Sequence, residues 1–282
     1  MIAITGATGQ LGQHVIESLL NTVPASQIVA IVRNPAKAAA LSQRGISVRQ
    51  ADYNDETAFT AALQDVEKLL LISSSEVGQR ASQHRKVINA AKRAGVKFIA
   101  YTSLLHADRS PLGLHVEHVE TEKMLAESSI PYALLRNGWY TENYLASAPA
   151  ALEHGVFIGA AGEGRIASAT RADYAAAAAR VIGTEGHAGK VYELAGDESW
   201  TLSQLATELS KQSGKNVVYQ NLSEADFAAA LKGVGLPAGL ADMLADSDTG
   251  ASKGGLFDDS HTLSKLIGRP TTTLAHSIKG IL

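Results

Sequence analysis

Over its first 136 residues the chain alternates short, apolar, β-branched runs with longer amphipathic patterns, and this rhythm constrains the fold more than any other feature. The runs IAIT (2–5), IVAIV (28–32), ISVRQ (46–50), KLLLIS (68–73), KFIAYT (97–102) and YALLR (132–136) read as strands. Helical patterns fill the intervals at 10–21, 35–44, 55–64, 80–94 and 114–129. Asp55 is placed to cap the third helix, and Gly45 and Gly95 to close the second and fourth. Strands joined by helical crossovers run parallel, and the right-handed crossover spreads the helices over both sheet faces. The expectation is an α/β fold with a doubly wound parallel sheet.

After Arg136 the rhythm loosens. GVFIGAAGEGRIASAT (155–170) is glycine-rich and strand-like, RADYAAAAARVIG (171–183) is an alanine-dense helix, and KVYEL (190–194) is a further strand. A helix at 201–213, a short strand VVYQ (217–220) and mostly helical patterns follow. ADSDTGASKGG (245–255) reads as a loop over the surface or a cleft. The expected organisation is a dinucleotide-binding domain over 1–140, with segments near 165–195 returning to it, and a smaller, mostly helical α/β domain over 141–282. Thr170 with Asp173 has the spacing of a helix-capping box.

GATGQLG joins the first strand to the first helix. Gly6 can turn tightly out of the strand, Gly9 can let backbone approach a pyrophosphate, and Gly12 can let the helix pack on the sheet. The helix start then offers free N–H groups and the positive end of its dipole. Glycines alone are also compatible with a turn that only packs. Their place on the first strand of a βαβ series favours phosphate, because the sheet's switch point lies there.

An NAD site carries a carboxylate at the end of the second strand for the ribose hydroxyls. Here VAIVRNP puts Arg33 and Asn34 in that place, and a guanidinium pairs with a 2′-phosphate, so NADPH is expected over NADH. Asp52 can face the adenine edge or form a turn. Ser73, Ser74 and Ser75 follow the fourth strand at the carboxyl edge, a position that favours cofactor contact over an ordinary polar loop.

The charge and composition exclude several classes. A formal net charge of −3 gives no electrostatic case for nucleic acid or an anionic membrane. With no cysteine there is no disulfide, thiolate chemistry or cysteine-bound metal. No signal-like segment or apolar run of spanning length is visible, so a soluble cytoplasmic protein without membrane insertion is expected. His106, His115 and His118 lie close in sequence without a metal-ligand pattern, so no metal is expected, and His106 can instead meet a substrate oxygen. Hydrolase and nucleotide-triphosphatase motifs are absent.

With GATGQLG, Arg33, GVKFIAYTSLL (95–105) and PYALLRNGWYTENY (131–144) together, the chain resembles the atypical short-chain dehydrogenase/reductases of the NmrA-like group over nearly its whole length. Within that group it is similar to bacterial NADPH:quinone oxidoreductases and, more distantly, to triphenylmethane dye reductases. The resemblance implies a Rossmann domain, a small C-terminal domain, NADPH as cofactor and no flavin. It implies a pyrophosphate loop of Gly6, Ala7, Thr8, Gly9, Gln10 and Leu11, with Arg33 reading the phosphate and Ser73, Ser74 and Ser75 lining the cofactor. Asn137, Gly138, Trp139, Tyr140, Thr141 and Glu142 would flank the nicotinamide and the substrate, and Arg171 lies where the chain returns.

One departure bears on the reaction. Short-chain dehydrogenases reduce carbonyls with a Tyr-x-x-x-Lys pair, but HVETEK supplies Lys123 with Val119 four residues before it. Ser103 stands where that family places its substrate-binding serine. Lys123 can bind the nicotinamide ribose or be a helix-surface lysine paired with Glu120 or Glu127. The catalytic group stays open, with Lys123 and Tyr140 as candidates.

A quinone suits such a site. Hydride goes to an electron-poor ring, the hydroquinone anion is delocalised, and catalysis is mostly positioning. Trp139 and Tyr140 can give flat faces for stacking or can be core packing. The implied activity is flavin-free reduction of a small-molecule quinone. The rivals are a non-catalytic NADP-binding redox sensor and a reductase of another apolar acceptor, such as a cationic dye or an enone. The oligomeric state is left open.

Overall fold

The computed structural model describes residues 1–282. Nine strands are present: β1 (Ile2–Ile4), β2 (Ile28–Val32), β3 (Ser47–Gln50), β4 (Lys68–Leu71), β5 (Phe98–Leu104), β6 (Tyr132–Asn137), β7 (Val156–Gly159), β8 (Val191–Leu194) and β9 (Val218–Asn221). Seven form one sheet in the order β3-β2-β1-β4-β5-β6-β8, and β7 pairs with β9. The pairs from β3 through β6 are parallel, with Ile2 opposite both Ile28 and Lys68. β8 rises in step with β6, Gly189 N donating to Tyr132 O and Leu134 N to Lys190 O. This is the doubly wound, Rossmann-type sheet that the alternation requires.

The central strands are apolar on both faces because both are covered. All five residues of β2, IVAIV, are buried. Ala3, Ile31, Leu69, Leu71, Ile99 and Tyr101 share one core with Phe59, Val87, Ile88, Ala91 and Leu125 from the helices Glu56–Ala62, Arg80–Ala94 and His115–Glu127. The helix Gln10–Leu19 packs on the alanine-dense helix Arg171–Gly183, which lies against β4, β5 and β6. Ala175 and Ala177 are fully buried there, and side chains this small let helix and sheet approach closely.

The chain divides into two compact units. The first comprises Met1–Leu104, Val116–Asn137 and Arg171–Tyr192, and the second Leu105–His115, Gly138–Thr170 and Glu193–Leu282. In the second, Thr201 forms a full capping box with Gln204 at the start of the helix Leu202–Ser213. The strand-like stretch 155–170 yields only β7 and two isolated bridges, Ile166 with Trp200 and Ala169 with Tyr140.

Two expectations on local structure are corrected. The stretch 245–255 is not a loop down to Ser252, because the helix Ala238–Ser252 runs through it. Its polar residues are used inward: Asp246 accepts from Gly113 N at 2.7 Å, and Asp248 accepts from Ala160 N at 2.9 Å. Gly250 packs so closely that a Cβ would lie 2.6 Å from Leu112 Cδ1. Tertiary contacts thus outweigh a composition that favours loops. The helix at 35–44 is likewise split, a 3₁₀ turn Pro35–Ala38 preceding the short helix Ala39–Gln43.

Candidate functional site

The strand order β2-β1-β4 puts the reversal of chain direction across the sheet at β1, and open α/β sheets bind ligands beyond the carboxyl ends at such a point. There the first unit has a cavity of about 550 Å³. Gly6, Thr8, Gly9, Gln10 and Leu11 line it after β1, and Arg33, Asn34 and Lys37 after β2. Tyr53 follows β3, Ser73, Ser74, Ser75 and Glu76 follow β4, and Arg171 completes the wall.

Each glycine of the turn has its own reason. Gly6 adopts φ +58°, a left-handed conformation that a side chain disfavours. A Cβ on Gly12 would stand 2.4 Å from Gly6 O and 2.8 Å from Ala7 Cα, so the helix rests on the turn's own backbone. Gly9 opens the helix without a side-chain cap, and the first helical bond is Gln13 N to Gly9 O at 3.0 Å. The amides of Gln10 and Leu11 therefore have no acceptor within the helix, and its first turn carries no acid. Such a helix start accepts an anion. With Arg33, Lys37 and Arg171 outnumbering Glu76 on the wall, the cradle fits a dinucleotide with an additional phosphate.

The loop after β4 is pinned by a buried polar network that the sequence gives no motif for. Ser74 N donates to His84 Nε2 at 2.9 Å, so the His84 proton lies on Nδ1, 2.9 Å from Thr121 Oγ1. Arg80 Nε donates to Ser74 O at 2.7 Å, and Arg80 Nη1 lies 3.3 Å from His118 Nε2. His118 Nδ1 is 2.7 Å from the Tyr101 hydroxyl. Glu117 accepts from Gly78 N at 3.1 Å, tying the loop to the helix His115–Glu127. Burial, reinforced by the Arg80 charge, pushes His84 down to about 3 and His118 well below its ordinary value. The only sequence signals are the one-face spacings of Arg80 with His84 and of His118 with Thr121.

Tyr53 was also not singled out by its sequence. Its hydroxyl lies 2.7 Å from Ile72 O and 2.8 Å from Thr5 Oγ1, joining the ends of β1 and β4 beside the cavity, and burial pushes its pKa up. Asp52 accepts from Asn54 N at 2.8 Å and is off the wall, which fits the turn reading. Asp55 caps its helix by accepting from Ala58 N at 2.8 Å. Ala7 is buried and is not among the lining residues. Asn137 ends β6 with its side-chain oxygen buried and without a hydrogen-bond partner.

Gly138, Trp139, Tyr140, Thr141 and Glu142 belong to the second unit. Tyr140 is half-buried at the start of the helix Thr141–Leu145, and Thr141 Oγ1 lies 2.7 Å from Ser168 Oγ. Trp139 lines a small cavity of about 50 Å³ with Tyr144, Phe157, Phe227 and Asp248. Asp248 accepts from Tyr144 Oη at 3.2 Å, and burial lifts its pKa to about 6. His106 contacts Phe257 O at 3.3 Å, and His115 Nδ1 lies 3.3 Å from Ala107 O. No group of three His, Cys, Asp or Glu side chains converges as metal ligands.

The pattern of the NmrA-like family matches residues 1–275. The chain belongs to the NmrA-like family. It is 84% identical to quinone oxidoreductase 2 of Escherichia coli (strain K12) over 278 residues, 99% of this chain and 97% of that protein. The crystal structure of an NADPH-dependent quinone oxidoreductase from Escherichia coli, complexed with NADPH, matches with a TM-score of 0.98 at 82% identity, covering 100% of this chain and 99% of that one. Triphenylmethane reductase of Citrobacter sp., complexed with NADP(H), matches with a TM-score of 0.96 at 42% identity, covering 100% of both chains.

In this NmrA-like protein the hydroxyl at Ser103 is already engaged. Ser103 Oγ donates to Glu122 Oε1 at 2.6 Å, and Arg136 grips the same carboxylate from Nε at 3.0 Å and Nη2 at 2.7 Å. Lys123, the next residue along the helix, is exposed, and its neighbour Glu120 pairs with Arg85 at 3.8 Å.

Proposed function

We propose that the chain is an NADPH-dependent quinone oxidoreductase that transfers hydride directly to a quinone without a flavin. The observation that carries this reading is the full-length likeness, at 82% identity, to an Escherichia coli enzyme solved with NADPH. The cationic, glycine-turned crevice of the first unit supports it. The backbone of Gly6 through Leu11 holds the pyrophosphate, Arg33 and Lys37 take the 2′-phosphate, and Ser73, Ser74 and Ser75 line the cofactor. Asn137 through Glu142, with Arg171, attend the nicotinamide half.

When bound, NADPH supplies a hydride, two electrons in one step, to the acceptor ring. What the side chains withhold defines the acceptor. Val119 has no proton to give, and the Ser103 proton faces the Glu122 carboxylate. A simple carbonyl needs a proton donor to become an alcohol, whereas a hydroquinone anion is stabilised by its ring and takes its proton from water. The chain's task is then to bind, orient and exclude competing acceptors, with Trp139 and Tyr140 offering aromatic faces to a flat ring. No helix is long and apolar enough to cross a membrane, and a cytoplasmic location belongs to the same proposal.

The test is NADPH oxidation by the purified protein on adding 1,4-benzoquinone or a naphthoquinone. Steady turnover, faster with NADPH than with NADH, is expected. Tight NADPH binding without turnover on quinones, dyes or enones would replace this reading with that of a redox sensor. Arg33→Gln should weaken NADPH binding by roughly 1.5–3 kcal/mol, the scale of a charge-assisted hydrogen bond, and leave NADH unchanged.

A further inference from the structure

Arg33 already has an anionic partner within the chain. Its Nη1 lies 3.2 Å from Glu76 Oε1, and both residues line the crevice. They leave the sheet from different strands, Arg33 directly after β2 and Glu76 beyond β4. Those two strands flank β1, so the ion pair joins the two sides of the crevice over the end of β1, where the glycine turn begins.

Glu76 is an anchored acid, unlike an ordinary surface one. Gln83 Nε2 donates to Glu76 Oε2 at 2.7 Å, and Gln83 Oε1 accepts from Ser74 Oγ. The amide of Glu76 donates to that same Ser74 Oγ at 3.2 Å. Gln83 is buried on the helix Arg80–Ala94, with 1% of its surface exposed. One carboxylate oxygen is thus fixed to the helix while the other faces the guanidinium.

We infer that Glu76 is a built-in substitute for the cofactor's 2′-phosphate: it holds Arg33 across the crevice until that phosphate displaces it, and so tunes the preference for NADPH over NADH. This rests on the role given above to Arg33. Binding of a 2′-phosphorylated nucleotide exchanges one anion for another on the guanidinium. The phosphate wins because it carries more charge and more acceptor oxygens than a carboxylate. The exchange leaves Glu76 beside the phosphate as a like charge. A nucleotide without that phosphate leaves the Arg33–Glu76 pair intact. Glu76 therefore lowers affinity for the phosphorylated nucleotide alone.

The probes are 2′,5′-ADP and 5′-ADP, titrated calorimetrically into wild type, Glu76→Gln, Arg33→Gln and the double variant. Glu76→Gln should bind 2′,5′-ADP about fivefold tighter, the scale of one exposed ion pair plus the repulsion it leaves behind. Affinity for 5′-ADP should stay within about twofold, and the gain should shrink to the part due to repulsion when Arg33 is also replaced. Equal tightening of both nucleotides, or a gain that is undiminished without Arg33, would overturn the substitution. A wild type that binds 2′,5′-ADP no tighter than 5′-ADP would instead remove the Arg33 assignment, and the substitution with it. Calorimetry reads this independently of turnover, so a failed quinone assay leaves the result interpretable.

Discussion

The first unit buries two histidines behind the loop that walls the crevice, while the second buries a carboxyl group, Asp248, beside Ala160. The two burials respond to pH in opposite directions. His84 falls from an ordinary 6.5 to about 3, so its contribution is whole above pH 6.5 and is lost as the pH drops toward about 3. Asp248 rises from 3.8 to about 6, so its contribution is whole below about pH 4 and is lost as the pH climbs through about 6. The histidines serve as neutral donors and acceptors that position Ser74 and Arg80, so acid attacks the crevice wall. Asp248 has two hydrogen bonds and no cation among its partners, so neutral pH strains the second unit.

The largest expected effect is on the acid side. Lowering the pH from 7 to 4 should cost roughly 3 kcal/mol through His84 alone, read as urea unfolding at the two values. His84→Gln should flatten that slope, and an unchanged slope would show that burial of His84 does not set it. On the other side, Asp248→Asn should stabilise the protein at pH 7.5 by up to about 3 kcal/mol. Its amide can still accept from Ala160 N and donate to Tyr144, so the advantage should fade on thermal melts taken toward pH 4. A smaller loss, about 1.5–3 kcal/mol, is expected for Glu122→Gln, which removes the charge from a buried acceptor of Arg136 and Ser103. Smallest is Thr201→Ala, about 1 kcal/mol from the lost cap. That loss should not vary with pH, making it the control within the second unit.

How much was legible follows from the range of the interactions. β2 coincides with the run IVAIV, and Gly45 and Gly95 take φ +83° and +77° where a chain must turn away from a helix. Arg33 and the serines after β4 reach one cavity because strand ends in a parallel sheet share an edge. The helix through residues 245–252 was not legible, since its acids find partners more than eighty positions away. Nor was the engagement of Ser103, because Glu122 reaches it from the following helix and is itself held by Arg136 from β6.

The order of residues along the chain specifies the parallel sheet, the glycine turn after β1 and the basic residue at the end of β2. Each depends on periodicity or on neighbours along the chain, which local sterics and hydrogen bonding fix. Packing in three dimensions is what brings Glu76 to face Arg33, has Gln83 and His84 hold the loop between them, and buries Asp248 without a cation. Those pairings depend on which strand ends and helix faces the fold brings together, and on charges whose energies are set by burial.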